Sequence, residues 1–449
     1  MPRTDSRGGN ITRGRRELGL VVAAHTANAV GNWITVTAIW GLAFFRFDVS
    51  EDTLAVLVVV LSMAAVVASG PAGTIVDRMG PKKAFLVACL CGAASAAALT
   101  TAGSYAAVMA FSVPLAACDV LSSTAVHAFV PRLVAGHELP RVNGVVTAAE
   151  NVAVIVGPAA AAGLFEIGGL EATFAADAVS FLLAAGLLAW AREAARPELS
   201  PHPRVEEPPS SGHHSAEATA NSPRPRDGEP DWRTTLEVVR VSKPITWVLT
   251  LAAITYAMWA VFAVVEPLYV DEVLGASGTA FALLQAAFGS GVVGGGLALA
   301  KFGRRVDLFR ALGNSTILSC AGASVYVSSR MLALAYAGIV LWGVAVAWFT
   351  GPARTILQTE GPAVVHGRIL ALNKGLEPAA MILFSPLAAY LAGSVGAQLL
   401  GVATSLVVGA AGLAFSVAVR SAGLGMRPTR QIRTPGLHEL SGRDGPPPP

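Results

Sequence analysis

Charged residues are scarce in this chain of 449 residues. Asp, Glu, Lys and Arg make up 14% of it, whereas 53% of its residues are hydrophobic. A soluble domain carries roughly a quarter of its residues as charged ones, so this deficit excludes an ordinary soluble protein and indicates a chain that lies mainly in lipid. The formal net charge is only +3, and we therefore expect no nucleic-acid partner.

Signals for metals, disulfides and nucleotides are also lacking. The four cysteines lie inside apolar segments without the spacing of metal ligands or disulfides. The pair His213 and His214 stands alone in a segment rich in Pro and Ser, where a solvated loop is the simpler interpretation. No Gly-x4-Gly-Lys-Ser/Thr loop occurs. The sequence thus predicts no metal, no cofactor and no enzymatic activity.

Long apolar runs, by contrast, are abundant. A helix that crosses ~30 Å of hydrocarbon needs about 20 apolar residues. The runs are continuous and not alternating, which favours helices over a barrel. We predict an all-α membrane protein with twelve transmembrane spans, at about 18–45, 53–76, 84–101, 105–129, 143–165, 172–191, 244–270, 277–300, 309–328, 331–353, 369–392 and 397–419.

The cations predict how the chain is oriented. With a cytoplasmic N-terminus, all of the 32 Lys and Arg residues fall on the cytoplasmic side except Arg46, Arg330 and Lys374. This follows the positive-inside rule. We therefore expect a multi-pass protein of the bacterial cytoplasmic membrane with both termini in the cytoplasm. The first apolar run is too long for a cleaved signal peptide, so it is read as the first helix.

A polar insertion divides the spans into six and six. It is rich in Pro, Ser and Glu and is expected to be mostly disordered, apart from a short amphipathic helix that starts at Trp232. The predicted organisation is an N-terminal tail at 1–17, a six-helix bundle at 18–191, a cytoplasmic linker at 192–243, a second bundle at 244–420 and a C-terminal tail at 421–449.

The two halves share an internal repeat. Four residues of the loop between spans 2 and 3 recur at one constant offset: Gly73, Arg78, Gly80 and Lys82 match Gly296, Lys301, Gly303 and Arg305. Arg141 and Glu150 in span 5 match Arg368 and Glu377 in span 11. Duplication of this kind predicts two pseudo-symmetric bundles that rock about a site near the bilayer midplane.

The duplicated charged loop at 73–83 resembles the signature loop of the major facilitator superfamily. Gly157-Pro158 in span 5, the stretch Thr173 to Phe181, and Gly367-Arg368 resemble the branch of macrolide-efflux and enterobactin-exporter proteins. The resemblance implies the major facilitator fold and a monomeric transporter driven by an ion gradient. It further implies that spans 1, 4, 7 and 10 line the cavity, and that spans 2, 5, 8 and 11 join the bundles. Unlike many relatives, the chain has Asn32 where they carry an acid.

The loop after span 2 is the candidate gate. Asp77 follows the C-terminal end of a helix, where the helix dipole disfavours an anion. We expect it to pair with Arg368 at the start of span 11, as a latch that closes the cytoplasmic side. The alternative is a loop that only sets topology. The candidate gating residues are Gly73, Asp77, Arg78, Gly80, Lys82, Lys83 and Arg368.

Two intramembrane acids are candidates for proton coupling. Asp119 lies roughly 20 Å from the outer end of span 4, and an acid at that depth needs water or a partner. Ser122, Ser123 and His127 follow it as a polar stripe. Glu150 in span 5 has no local partner. The alternative for both acids is a hydrogen bond that serves packing alone.

Polar and aromatic residues at mid-depth are candidates for the substrate cavity. One face of span 1 and the middle of spans 1, 7 and 10 supply them: His25, Asn28, Asn32, Trp33, Trp259 and Trp342. Ordinary helix packing is the alternative. These features predict a proton-coupled exporter of hydrophobic small molecules. The alternatives are an exporter dedicated to one metabolite or siderophore, and a membrane sensor without transport.

Overall fold

The computed structural model describes residues 6–133, 139–190, 232–302, 306–360 and 365–423. The predicted linker before Trp232, the end of the chain and part of the second signature loop therefore lie outside the described residues. The described ranges are helical and contain no strand.

Spans 1 to 6 of the sequence form helices α1 to α6. The helix α1 is Ser6–Thr37, continued through a π-helical turn at Ala38–Leu42 into Ala43–Phe47. Next come α2 at Glu51–Met79, α3 at Pro81–Leu99 and α4 at Tyr105–Leu133. The stretch Leu139–Trp190 contains two helices, because Gly168 and Gly169 have non-helical backbone angles. We name its parts before and after these glycines α5 and α6.

Spans 7 to 12 form helices α7 to α12. The helix α7 is Lys243–Leu268 with a π-helical turn at Tyr269–Val273, and the short predicted amphipathic helix precedes it as Trp232–Val241. The remaining helices are α8 at Gly278–Phe302, α9 at Leu308–Ser328, α10 at Leu332–Thr359, α11 at His366–Val395 and α12 at Ala397–Ser421.

Most of these helices meet the requirements for crossing a bilayer. Among the described residues, nine helical segments are long and apolar enough, and one of them contains both α5 and α6. The two that are not among them, α1 and α9, have the length but carry polar residues such as Asn28 and Asn314. All twelve predicted spans are thus present as helices, and the predicted all-α fold is confirmed.

A glycine turn between α2 and α3 marks one end of the bundle. Gly80 has a φ of 81°, which only glycine adopts without strain, and it lets the chain reverse within one residue. We call this end the loop face. The opposite end, where α1 finishes at Asp48, is called the far face.

Two pairs of helices join the halves: α2 packs against α11, and α5 packs against α8. Close to the far face, the ring of Phe281 lies against the backbone of Gly41 and 6.3 Å from the ring of Phe45. Gly278 faces Leu42 at the same level. These apolar contacts close the far face.

Polar contacts reinforce the closed far face. The Thr279 hydroxyl at the start of α8 donates a hydrogen bond to the Glu166 carboxylate at the end of α5. The Glu51 carboxylate lies over Gly393, where a Cβ atom would come within 2.7 Å of its Oε1. Each of these contacts joins one half to the other.

Candidate functional site

A polar recess lies in the N-terminal half at mid-membrane depth. Its volume is about 260 Å³, and it opens between α1, α4 and α5. Asp119 is the central residue of α4, as its position within Tyr105–Leu133 shows. The side chains that line the recess are His25, Asn28, Asn32, Trp33, Asp119, Ser123, Glu150 and Asn151.

A hydrogen-bonded pair joins α1 to α5 in this recess. His25 Nε2 lies 3.0 Å from Glu150 Oε1, and the imidazole is buried while the carboxylate is 40% exposed. The sequence showed no partner for Glu150 within its own helix. The structure explains this, because its partner His25 lies 125 positions away on α1. Asp119 lies within electrostatic reach of both groups. The structure therefore places the two proton-coupling candidates in one cluster with His25.

Gly157 sets the register that forms this pair. The Cβ of Trp33 and its backbone press against Gly157, where a Cβ atom would come within 2.3 Å of Trp33 Cβ. The helices α1 and α5 run in the same direction. Contact between Trp33 and Gly157 therefore brings His25 and Glu150 together about two helical turns nearer the loop face. The Gly-Pro element of span 5 thus supports the polar site through packing.

The polar stripe of α4 faces α1. Asn28 Nδ2 donates to Ser122 Oγ at 3.3 Å, inside the protein. The rings of His25 and His127 stand edge to face with centroids 6.4 Å apart. Two atoms of this region, His25 Nδ1 and Asn28 Oδ1, are buried and find no hydrogen-bond partner among the described residues. Such buried polar atoms require a partner, so water or a bound molecule is expected there.

Asp177, within the stretch Thr173 to Phe181 of span 6, forms a second polar contact with α1. It is completely buried on α6. Thr35 Oγ1 donates to its Oδ2 at 2.6 Å, and Ser180 Oγ donates to its Oδ1 at 3.1 Å. Gly31 makes room for this contact, since a Cβ there would come within 2.4 Å of Asp177 Oδ1. The signal in the sequence was the acid in span 6 opposite a glycine in span 1.

The aromatic candidates of the second half lie apart from the recess. Trp342 is 4% exposed, and its ring packs edge to face on those of Phe262 and Phe288 at 4.7 and 5.5 Å. Trp259 packs on Tyr256 at 5.2 Å. Only Trp33 of the three candidate tryptophans lines the recess. The assignment of all three tryptophans to one substrate cavity stays a prediction.

The gating candidates lie on the loop face. Asp77, Arg78 and Lys83 are exposed, and Lys82 Nζ donates to the Ala189 carbonyl of α6 at 3.3 Å. Gly73 has open space beside it. Within the described part of the chain, neither a hydrogen bond nor an ion pair joins Asp77 to Arg368. The predicted latch is thus not formed in this conformation.

The recess can bind protons or small polar groups, because carboxylates, an imidazole and amides converge at mid-depth. Among the described residues, no group of three or more His, Cys, Asp or Glu side chains is placed to hold a metal ion.

A model of the major facilitator superfamily matches residues 21–377, which is more than half of the chain. The chain belongs to the major facilitator superfamily. A comparison with curated proteins finds no match. The macrolide-efflux and enterobactin-exporter branch is not established by these findings.

Solved transporters share the fold over nearly the whole chain. A bacterial homologue of the human lysosomal transporter Spinster, solved in an inward-facing and unoccupied conformation, is 13% identical with a TM-score of 0.70, and 93% of this chain and 99% of that one are covered. The nucleoside transporter NupG, as a D323A mutant, is 12% identical with a TM-score of 0.63, at 90% and 99% coverage. Membership of the superfamily and these neighbours indicate a multi-pass membrane transporter.

Proposed function

We propose that this transporter exports hydrophobic small molecules by alternating access and uses protons that move in the opposite direction. The observation that carries the proposal is the recess, which unites Asp119, Glu150 and His25 at mid-depth. Intramembrane acids are costly and commonly mark ion pathways. Here they lie beside the boundary between the halves, where both the substrate and a proton can reach them.

The proton step can be described at named atoms. Asp119 is the leading proton acceptor, since no side-chain hydrogen bond to its carboxylate is found among the described residues. A proton on Asp119 removes a negative charge beside the Glu150 carboxylate and the imidazole. The contact between His25 and Glu150 then changes in strength, and with it the attachment of α1 to α5. We infer that this attachment couples proton binding to helix movement.

Residues of both halves would surround the substrate. The recess is smaller than the ~300–1,000 Å³ typical of sites for drug-sized ligands. A bulky substrate therefore occupies the space between the halves and uses the recess for its polar or cationic part. Trp33 supplies an aromatic surface at the edge of the recess.

The gate and the orientation belong to the same proposal. The loop face would lie in the cytoplasm of a bacterial cell, in keeping with the distribution of Lys and Arg. The far face is closed in this structure while Asp77 and Arg368 are apart. We propose that these two residues pair when the loop face closes, and that the protein works as a monomer.

An accumulation assay tests the export proposal. Efflux-deficient cells carrying the wild type, Asp119→Asn or the exposed control Glu237→Gln would be loaded with a panel of hydrophobic dyes and drugs. We expect lower accumulation with the wild type and the control, and loss of this effect with Asp119→Asn or a protonophore. Export by Asp119→Asn at the wild-type level would overturn the role of Asp119.

The same assay separates the alternatives. If the wild type, at normal membrane abundance, changes accumulation of no compound in the panel, a broad exporter is contradicted and an exporter dedicated to one metabolite or siderophore becomes the better proposal. Proteoliposomes that show no proton movement with any extracted metabolite would favour a sensor without transport.

A further inference from the structure

A second cavity lies outside the polar recess, in the C-terminal half. Its volume is about 560 Å³. The cavity is formed by the first turns of α9 and by α10, beginning near the loop face. It shares no lining residue with the recess. Neither the transport proposal nor the gate uses it.

The polarity of this groove changes along its length. Asp307 and Arg310 lie at its mouth, Asn314 and Ser315 follow, and Leu318 with Trp348 forms the deep end. From Asp307 to Leu318 the helix rises by about 16 Å, which is close to half of the ~30 Å hydrocarbon core. The groove therefore runs from the charged membrane surface into the apolar interior.

Arg310 is placed to bind an anionic group. Its side chain is 53% exposed, and its nearest acid is Asp307, with Nε and Oδ2 3.8 Å apart. The other oxygen of Asp307 accepts the backbone N–H groups of Phe309 and Arg310. The acid is thus occupied in capping α9. Donor N–H groups of the guanidinium remain for a phosphate, which arginine binds in a bidentate manner.

Asn314 also needs a partner. It is exposed, one turn deeper than Arg310, on a helix that packs against α10 and α12. A side-chain amide that faces hydrocarbon without a hydrogen bond is costly. The ester oxygens of a phospholipid lie at this depth below the phosphate.

We propose that this groove binds one glycerophospholipid of the leaflet on the loop face. Arg310 holds the phosphate, Asn314 donates to an ester oxygen, and one acyl chain lies along Leu318 and Trp348. The site does not depend on the identity of the exported substrate.

Native mass spectrometry of the purified protein tests the site. The protein would be stripped of lipid in a phosphate-free detergent and titrated with phosphatidylglycerol or phosphatidylethanolamine. We expect one tight lipid on the wild type, and binding about tenfold weaker in Arg310→Gln. The matched control is Arg420→Gln, which removes an exposed arginine from the end of α12 on the same face; it should bind lipid like the wild type.

A groove-filling variant and a soluble competitor complete the test. Asn314→Trp places an indole in the groove and should abolish the tight lipid even if Arg310→Gln fails to fold. Inorganic phosphate should not displace the lipid, because it lacks the acyl chain that occupies the deep end. Equal lipid binding by the wild type and both groove variants, or displacement by inorganic phosphate, would overturn the proposal.

Discussion

The two halves share a repeated sequence pattern, yet their helices are held together largely by different means. In the N-terminal half, side-chain hydrogen bonds connect α1 to its neighbours: Asn28 to Ser122, Thr35 to Asp177 and His25 to Glu150. In the C-terminal half, Gln285 of α8 donates a hydrogen bond to Glu266 of α7, but α8, α9 and α10 meet mainly where glycines bring backbones into contact. A Cβ at Gly343 would lie 2.2 Å from the Phe288 carbonyl oxygen, and one at Gly322 would lie 2.6 Å from the Trp342 amide nitrogen.

This difference separates a switchable half from a rigid one. A hydrogen bond between ionisable side chains changes when a proton arrives, whereas contact between two backbones does not depend on protonation. Two glycines illustrate the difference in crowding. A Cβ at Gly31 would meet the side chains of Ser180 and Asp177, but a Cβ at Gly343 would meet backbone atoms of α8. The N-terminal half therefore carries the ionisable contacts of α1, whereas the C-terminal half, apart from the hydrogen bond between Gln285 and the Glu266 carboxylate, relies on backbone contacts that give α1 a fixed reference.

The largest effect is expected from breaking the rigid half. Gly343→Ala inserts a methyl group against backbone atoms that cannot rotate away, and overpacking of this kind costs about 1–3 kcal/mol or more. We expect a marked fall in thermal stability, measured by size-exclusion chromatography after heating. Gly296→Ala on α8 is the control, because no atom lies within 4 Å of its new Cβ. Equal stability of the two variants would contradict the assignment of a rigid half.

The next effect concerns the switchable half. His25→Gln and Glu150→Gln each remove one ionisable partner of the pair, and we expect each to lower proton-coupled transport about tenfold or more, since hydrogen bonds to charged groups such as a carboxylate contribute ~1.5–3 kcal/mol. Residues that act as a unit are not additive, so the double variant should lose little more than either single one. Transport rates in proteoliposomes with an imposed pH gradient give the measurement. Losses that multiply in the double variant would show that the two residues act independently.

The fold could be predicted far more completely than the site. Twelve apolar runs, the positive-inside distribution and the repeated loop were enough for the helices, because burial in lipid acts on each run separately. The pair of His25 with Glu150 could not be predicted, because it depends on how Trp33 of α1 packs against Gly157. The packing of Trp342 was out of reach for a related reason: a mid-depth position does not reveal which face of α10 turns towards Phe262.

The two faces of the membrane provide a further comparison, since the far face is closed and Asp77 is exposed on the loop face. If Asp77 and Arg368 latch the loop face in the other state, Asp77→Asn should slow transport several-fold at unchanged membrane abundance, because a charge-assisted hydrogen bond is roughly twice as strong as a neutral one. Asp52→Asn, at the other end of α2, is the control. Unchanged transport by Asp77→Asn would leave the loop with a role in topology alone.

The smallest effect is expected at the far face. Thr279→Val removes the hydroxyl that binds Glu166, while the apolar contacts around Phe281 remain. Because this bond is exposed to solvent, its loss should cost about 0.5–1.5 kcal/mol, so the population open at the far face should rise by roughly two- to tenfold.

Distances between spin labels at Thr101 and Ser328, exposed far-face positions in the two halves, would report this shift. Thr279→Ser keeps the hydroxyl and should match the wild type. A larger shift than that produced by Asp77→Asn at the loop face would mean that the hydrogen bond, and not the packing of Phe281, closes the far face. The hydrogen bond at the far face would then have a larger effect on the conformational equilibrium than the latch between Asp77 and Arg368.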